Sequence, residues 1–172
     1  MHNVRVDQIE ETRSKAKEDP KAAMLDVAIE GEWHSNESEA QFAGPLKFVE
    51  GETTLEADFP PFLGGAGRAP TPLGYCFYGA MCCYASTFAT QAAMAGVELK
   101  SLRVRLNLSV DFRNSLGLGD FVPFGPFDFQ VEVDTDEDAQ AVQKVKQLAD
   151  ERCPAMWAMQ NKVDFKTEAT KI

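Results

Sequence analysis

Charge is missing from one long stretch of an otherwise acidic chain: from Ala69 to Val97 there is no Asp, Glu, Lys or Arg. Histidine is scarce as well, with only His2 and His34 in 172 residues. That leaves little for a histidine-based metal site or a Ser-His triad. Basic residues are in deficit, 17 against 27 acidic ones, for a formal net charge of −10. Nucleic acid and anionic membrane surfaces both require basic patches, so neither is expected as a partner. No Cys-x-x-Cys pair occurs, and a thiolate metal site built from Cys82, Cys83 and Cys153 finds little support. No metal or cofactor is therefore expected. Internal repeats and low-complexity segments are absent too. The first twenty residues are polar and lack the apolar core of an export signal, which predicts a cytoplasmic protein. In that compartment four cysteines read as free, catalytic or redox thiols rather than as a disulfide framework.

What is present bounds the fold. The length suits one domain with a full core, preceded by a polar extension over residues 1–21 and followed by a tail over 168–172. Asp7 to Lys17 has the makings of a weak surface helix within that extension. From Leu25 to Trp33 apolar and polar residues alternate, the period of a half-buried strand. Glu39 to Ala43, Leu46 to Val49 and Thr53 to Ala57 read as further strands of an antiparallel meander. Phe59 to Pro72 is rich in proline and glycine and reads as a loop. The uncharged run then predicts a helix from Leu73 to Ala95, with Thr71 as its cap, Pro72 in its first turn and Gly96 at its end. Its apolar residues lie all round, which predicts burial on most faces rather than a membrane span. Leu102 to Arg113 alternates through six periods and predicts a long strand; Phe127 to Val133 predicts another. Thr135 to Asp138 opens a second helix with the stripe Ala141, Val142, Val145, Leu148 and Ala149. Pro154 to Met159 reads as a short helix, and Lys162 to Lys166 as a last strand. The order is that of an α+β protein, a mainly antiparallel sheet with helices against it.

Helix geometry sorts the cysteines. Cys76 and Cys83 share a face but stand about 10 Å apart along the axis, and adjacent Cys82 and Cys83 cannot pair without breaking the helix. Any disulfide from this helix must reach across the fold to Cys153. That residue precedes Pro154 and is pushed toward extended angles, at the cap of the helix that Pro154 opens. As small apolar residues, Cys76 and Cys82 are expected in the core.

Pro70-Thr71-Pro72 lies eleven residues ahead of Cys83 in an alanine-rich helix. Gly96-Val97-Glu98-Leu99, the strand with Val110-Asp111-Phe112-Arg113, and the late Cys153-Pro154 complete a pattern that resembles the OsmC/Ohr family of osmotically inducible and organic hydroperoxide resistance proteins. The resemblance spans roughly residues 22–165 and implies an OsmC-like domain over 22–167. It implies a tightly intertwined α+β homodimer with long central helices. It also implies that Cys83 is a peroxidatic cysteine and Cys153 its resolving partner. Cys83 would reduce an organic hydroperoxide, and a dithiol of the lipoyl type would restore the pair. An apolar lining of Phe62, Tyr75, Phe77 and Trp157 suits an organic peroxide. The chain departs from the family at two points. Leu73 stands where peroxidase members often carry glutamate, and residues 22–58 hold no arginine; Arg68, in the loop before the helix, is the candidate substitute, with a solvated loop charge as the other reading of it. The alternative expectation is a non-catalytic OsmC-like dimer that binds a small apolar ligand.

Overall fold

The computed structural model describes residues 3–171. The chain divides into two compact units, one running from Asp7 to Tyr78 and the other holding the chain from Gly79 onward with the residues before Asp7.

The first unit holds α1 (Val6–Glu18) from its second residue on, a helix without a single buried residue. Three antiparallel strands follow in the order β1 (Glu32–Trp33), β2 (Phe42–Phe48) and β3 (Gly51–Ala57). The two strands expected on either side of Gly44-Pro45 are one strand, β2, which pairs with β3 along its whole length. Proline is tolerated there because β1 reaches only Phe42 and Ala43, so β2 is an edge beyond them. The strand expected over Leu25–Trp33 is not formed, apart from its last two residues. The carbonyl of Glu30 sits 2.4 Å from where a β-carbon on Gly44 would stand, so the chain rises over the face of β2 instead of pairing beside it. Alternation marks two faces, but a ladder also needs the chain to lie in the plane of the neighbouring edge. Met24, Leu25, Val27 and Ile29 are all strongly exposed as a result.

The loop after β3 is pinned from within. The Asp58 carboxylate, 1% exposed, accepts the backbone N–H groups of Arg68 at 2.9 Å and Ala66 at 3.4 Å. Gln41 accepts from Phe59 N–H and donates to the Gly64 carbonyl. A segment unable to form regular structure thus has its buried polar groups satisfied by side chains.

The central helix, α2 (Pro72–Met94), begins and ends as its sequence dictates. Thr71 Oγ1 accepts the Gly74 N–H at 3.0 Å. Gly96 takes φ +72°, with Gly96 N–H bonded to Ala93 and Val97 N–H to Ala92, the paired bonds of a glycine-terminated helix. Its burial is a stripe of Ala80, Tyr84, Phe88, Gln91 and Ala92, not the all-round burial expected. Cys76 accordingly is exposed and Cys82 half-buried, a correction to their expected place in the core. An uncharged helix of this composition holds more apolar surface than one chain covers. None of the described helices is long and apolar enough to cross a membrane.

In the second unit β4 (Ser101–Asn107) pairs antiparallel with β5 (Asp128–Asp134). Leu102, Val104, Phe129, Val131 and Val133 pack inward on the core. The strand expected to run to Arg113 stops at Asn107, and only a bridge from Val110 to Phe124 continues it. β4 ends where its pairing partner β5 begins, at Asp128. Asp138 caps α3 (Ala139–Arg152), its side chain accepting Ala141 N–H at 2.8 Å. α4 (Pro154–Gln160) follows after one residue, and the strand expected over Lys162–Lys166 is irregular chain. Ala141, Val145, Ala149 and Cys153, four residues apart, form the stripe by which α3 joins the core.

Two substitutions test this construction. Gly96→Ala forces a side chain into left-handed backbone and should lower unfolding stability by ~1 kcal/mol. Asp138→Ala should cost a similar ~1 kcal/mol through the lost cap. Urea unfolding measures both, and wild-type stability in either would contradict the assignment of these helix ends.

Candidate functional site

Cys83 lies in the middle of α2, one position before the buried Tyr84. Its carbonyl accepts the Thr87 hydroxyl at 2.9 Å. Cys153 lies between α3 and α4, with φ −74° and ψ 115°, the extended conformation that a following proline imposes. Only 1% of it is exposed. The two sulfurs are 3.7 Å apart, with the Cys153 thiol donating to Cys83 Sγ. A disulfide bond measures about 2.05 Å, so this is a dithiol in contact rather than a bridge. All four cysteines are free, and the structure pairs neither Cys76 nor Cys82 with another sulfur among the described residues.

The folding logic behind this contact is local. Hydrophobic burial seats the α3 stripe on the core, and Cys153 is its last member, one turn beyond Ala149. Its N–H continues the helix by bonding the Ala149 carbonyl. Pro154 then re-aims the chain into α4, which brings the Ala155 N–H to the Cys83 sulfur.

Burial raises the Cys83 thiol above its ordinary pKa. The Ala155 N–H works the other way, Cys153 adds to the rise, and Thr87 opposes it. None of these groups is a cation. Left to them alone, Cys83 is a protonated thiol at neutral pH.

Two polar ties join α2 to the last turn of α3. The Tyr84 hydroxyl donates to Asp150 Oδ1 at 2.7 Å, and Lys146 Nζ holds the other oxygen at 2.6 Å. Burial together with the Asp150 carboxylate raises the Tyr84 pKa, so its proton stays on the phenol. Arg152 donates to the buried Gln91 amide oxygen at 2.7 Å. Sequence reading missed the Tyr84–Asp150 and Gln91–Arg152 pairs. The available signal was Tyr84 and Gln91 seven apart on one face of an uncharged helix, where a buried polar group requires a partner.

The other expected site residues divide between the units. Arg68 is exposed in the first, lining a cleft of about 580 Å³ with His34, Glu37, Glu39 and Asp58. Phe62 is 66% exposed there, Phe77 is half-buried, and Tyr75 donates its hydroxyl to the Glu56 carbonyl at 2.9 Å. Trp157 lies in the second unit on α4, 57% exposed. The site brings together Cys83 and Cys153.

Three comparisons bear on this arrangement. Residues 65–168 match the family model for OsmC-like protein. No curated protein matches the sequence. Among solved structures, an OsmC-like protein from Mycoplasma pneumoniae superposes with a TM-score of 0.57 at 16% identity, covering 79% of this chain and 89% of its own. An organic hydroperoxide resistance protein OsmC from Legionella pneumophila gives 0.57 at 18% identity, with 82% and 95% covered. An OsmC-like protein of unknown function from Vibrio cholerae gives 0.52 at 17%, with 78% and 94% covered. At these identities the likeness is one of fold.

The burial of the two sulfurs predicts an order of labelling. In the reduced native protein at pH 7, iodoacetamide should modify Cys83 at least about tenfold faster than Cys153, and Cys153 should react freely only in denaturant. Peptide mapping by mass spectrometry reads both rates; equal native rates would contradict the buried position of Cys153.

Proposed function

This chain belongs to the OsmC-like protein family, and on that footing we propose that it reduces organic hydroperoxides with Cys83 as the peroxidatic and Cys153 as the resolving cysteine. The observation that supports this reading above all is the 3.7 Å contact between the two sulfurs. A sulfenic acid on Cys83 would form with its attacker already in place.

The chemistry balances in three steps. Cys83 sulfur attacks the distal peroxide oxygen, the O–O bond breaks, and the alcohol leaves with a proton, so that the thiol becomes a sulfenic acid. Cys153 sulfur then attacks Cys83 sulfur. The S–O bond breaks, water departs and a disulfide remains. An external dithiol, of the lipoyl type in this reading, exchanges with the disulfide and leaves oxidised as both thiols return.

The thiolate is the nucleophile, and the groups around Cys83 favour the thiol. Activation therefore falls to a cation, and Arg68 is the one proposed. Its guanidinium would favour the charged form of the sulfur. Phe62, Tyr75, Phe77 and Trp157 are proposed to bind the organic part of the peroxide. We also place the protein in the cytoplasm as a homodimer, a second copy covering the apolar surface of α2. The OsmC-like domain then runs over residues 22–167, between the polar extension and the tail.

Two observations favour the second reading, a non-catalytic dimer that binds a small apolar ligand. Cys83 is raised by burial, and Leu73 stands where a carboxylate is expected.

Consumption of cumene hydroperoxide with a dithiol reductant separates the readings. Cys83→Ser should abolish turnover, and Cys153→Ser should lower it at least about tenfold. Equal rates in all three proteins would sink the peroxidase reading. Activity should fall as pH drops through the Cys83 pKa, because protonation removes the thiolate. Arg68→Gln should move that midpoint to higher pH and lower the rate at pH 7 about tenfold or more, since one pKa unit is a tenfold change in thiolate. An unmoved pH profile would remove Arg68 from the site.

A further inference from the structure

α3 and α2 share an apolar core, and two polar contacts also join them, both from residues of α3 within three positions of Cys153. Tyr84, 2% exposed, finds its partner in Asp150; Gln91, 8% exposed, finds its partner in Arg152. Each pairing joins a buried neutral group to a charged one on the last turn of α3. Apolar packing is non-directional and tolerates a slide or a rotation of a helix. A hydrogen bond of 2.7 Å does not. The two ties also engage α2 at points two turns apart, Tyr84 and Gln91, which fixes both the height and the rotation of the end of α3.

The sulfur contact demands such precision. Cys153 Sγ must close from 3.7 Å to about 2.05 Å along one direction to form the disulfide. Misplacement by about 1 Å costs an intramolecular reaction much of its effective concentration. Lys146 supports the first tie from outside by holding the second oxygen of Asp150.

We infer that Tyr84–Asp150 and Gln91–Arg152 are positioning pairs that set the redox poise of the Cys83–Cys153 couple by fixing Cys153 over Cys83. None of the four exchanges electrons or reacts. They act through the place they give to Cys153, and the role rests on the redox-pair reading above. Loss of either tie leaves both cysteines in the protein but lowers the concentration of one thiol at the other, so the disulfide becomes easier to reduce.

The test is equilibration of the full-length protein with reduced and oxidised glutathione over a range of ratios. The Cys83–Cys153 disulfide is then quantified by acid quenching and peptide mapping. Tyr84→Phe keeps the ring and removes the hydroxyl; Gln91→Leu keeps the volume and removes the acceptor. Each should lower the stability of the disulfide about tenfold, which raises the reduction potential by about 30 mV for a two-electron couple. Gln91→Glu restores a partner for Arg152 and should return the potential to that of the wild type. Val131→Ala trims the same core without touching either tie; it should lower unfolding stability and leave the potential unchanged. Wild-type potentials in both Tyr84→Phe and Gln91→Leu would overturn the inference. So would an equal shift in Val131→Ala, because stability alone would then explain it. If the wild type forms no Cys83–Cys153 disulfide at any ratio, the redox-pair reading fails first and the positioning role with it.

Discussion

The burial of one side of α2 is the constraint on which the C-terminal unit depends. Ala80, Tyr84, Phe88, Gln91 and Ala92 form that side, and its two aromatic residues are almost wholly removed from water. Fully burying a side chain of the Phe88 kind stabilises by roughly 1.5–3 kcal/mol, so a core that includes Tyr84, Phe88 and Val145 holds the unit together by apolar contact first. α3 is recruited to that core through a stripe of small and medium residues. Cys153 is the last of them, and the sulfur contact follows from where the stripe ends. The candidate chemistry is thus a consequence of core packing rather than a feature added to a surface.

The same packing sets a conflict. Packing against the core orients both sulfurs, and for Cys83 the same burial penalises the charged form on which nucleophilic attack depends. The N–H of Ala155 offsets part of the penalty. It is available because Pro154 breaks the helical path and turns α4 toward the sulfur. The rest of the activation has to come from a positive charge. That requirement, more than the sulfur geometry, separates a peroxidase from a binding protein of the same family.

Local signals were legible in the sequence and non-local ones were not. Thr71 and Gly96 bound α2 because a cap and a glycine stop act within one turn. The cap at Asp138 and the extended conformation of Cys153 before Pro154 were readable for the same reason. The α+β class followed from the order of such segments, and the OsmC-like resemblance rested on Pro70-Thr71-Pro72 ahead of Cys83 and the late Cys153-Pro154. The alternation from Leu25 to Trp33 misled, because period two reports two faces and says nothing of whether the chain lies in the plane of a neighbouring edge. Cys76 misled because an uncharged helix looks buried all round, whatever one chain covers. Tyr84–Asp150 and Gln91–Arg152 leave no spacing pattern, since their partners are more than sixty residues apart in the chain. What the sequence did carry was the anomaly of a tyrosine and a glutamine seven apart on a helix with no charge.

The central claim is that Cys83 and Cys153 form one redox unit. Its most direct test is to add one equivalent of cumene hydroperoxide to the reduced protein, trap it with acid and map the peptides by mass spectrometry. The account predicts a Cys83–Cys153 disulfide as the main product, with Cys76 and Cys82 still reduced. A disulfide through Cys76 or Cys82 in its place, or an unreacted dithiol, would contradict it.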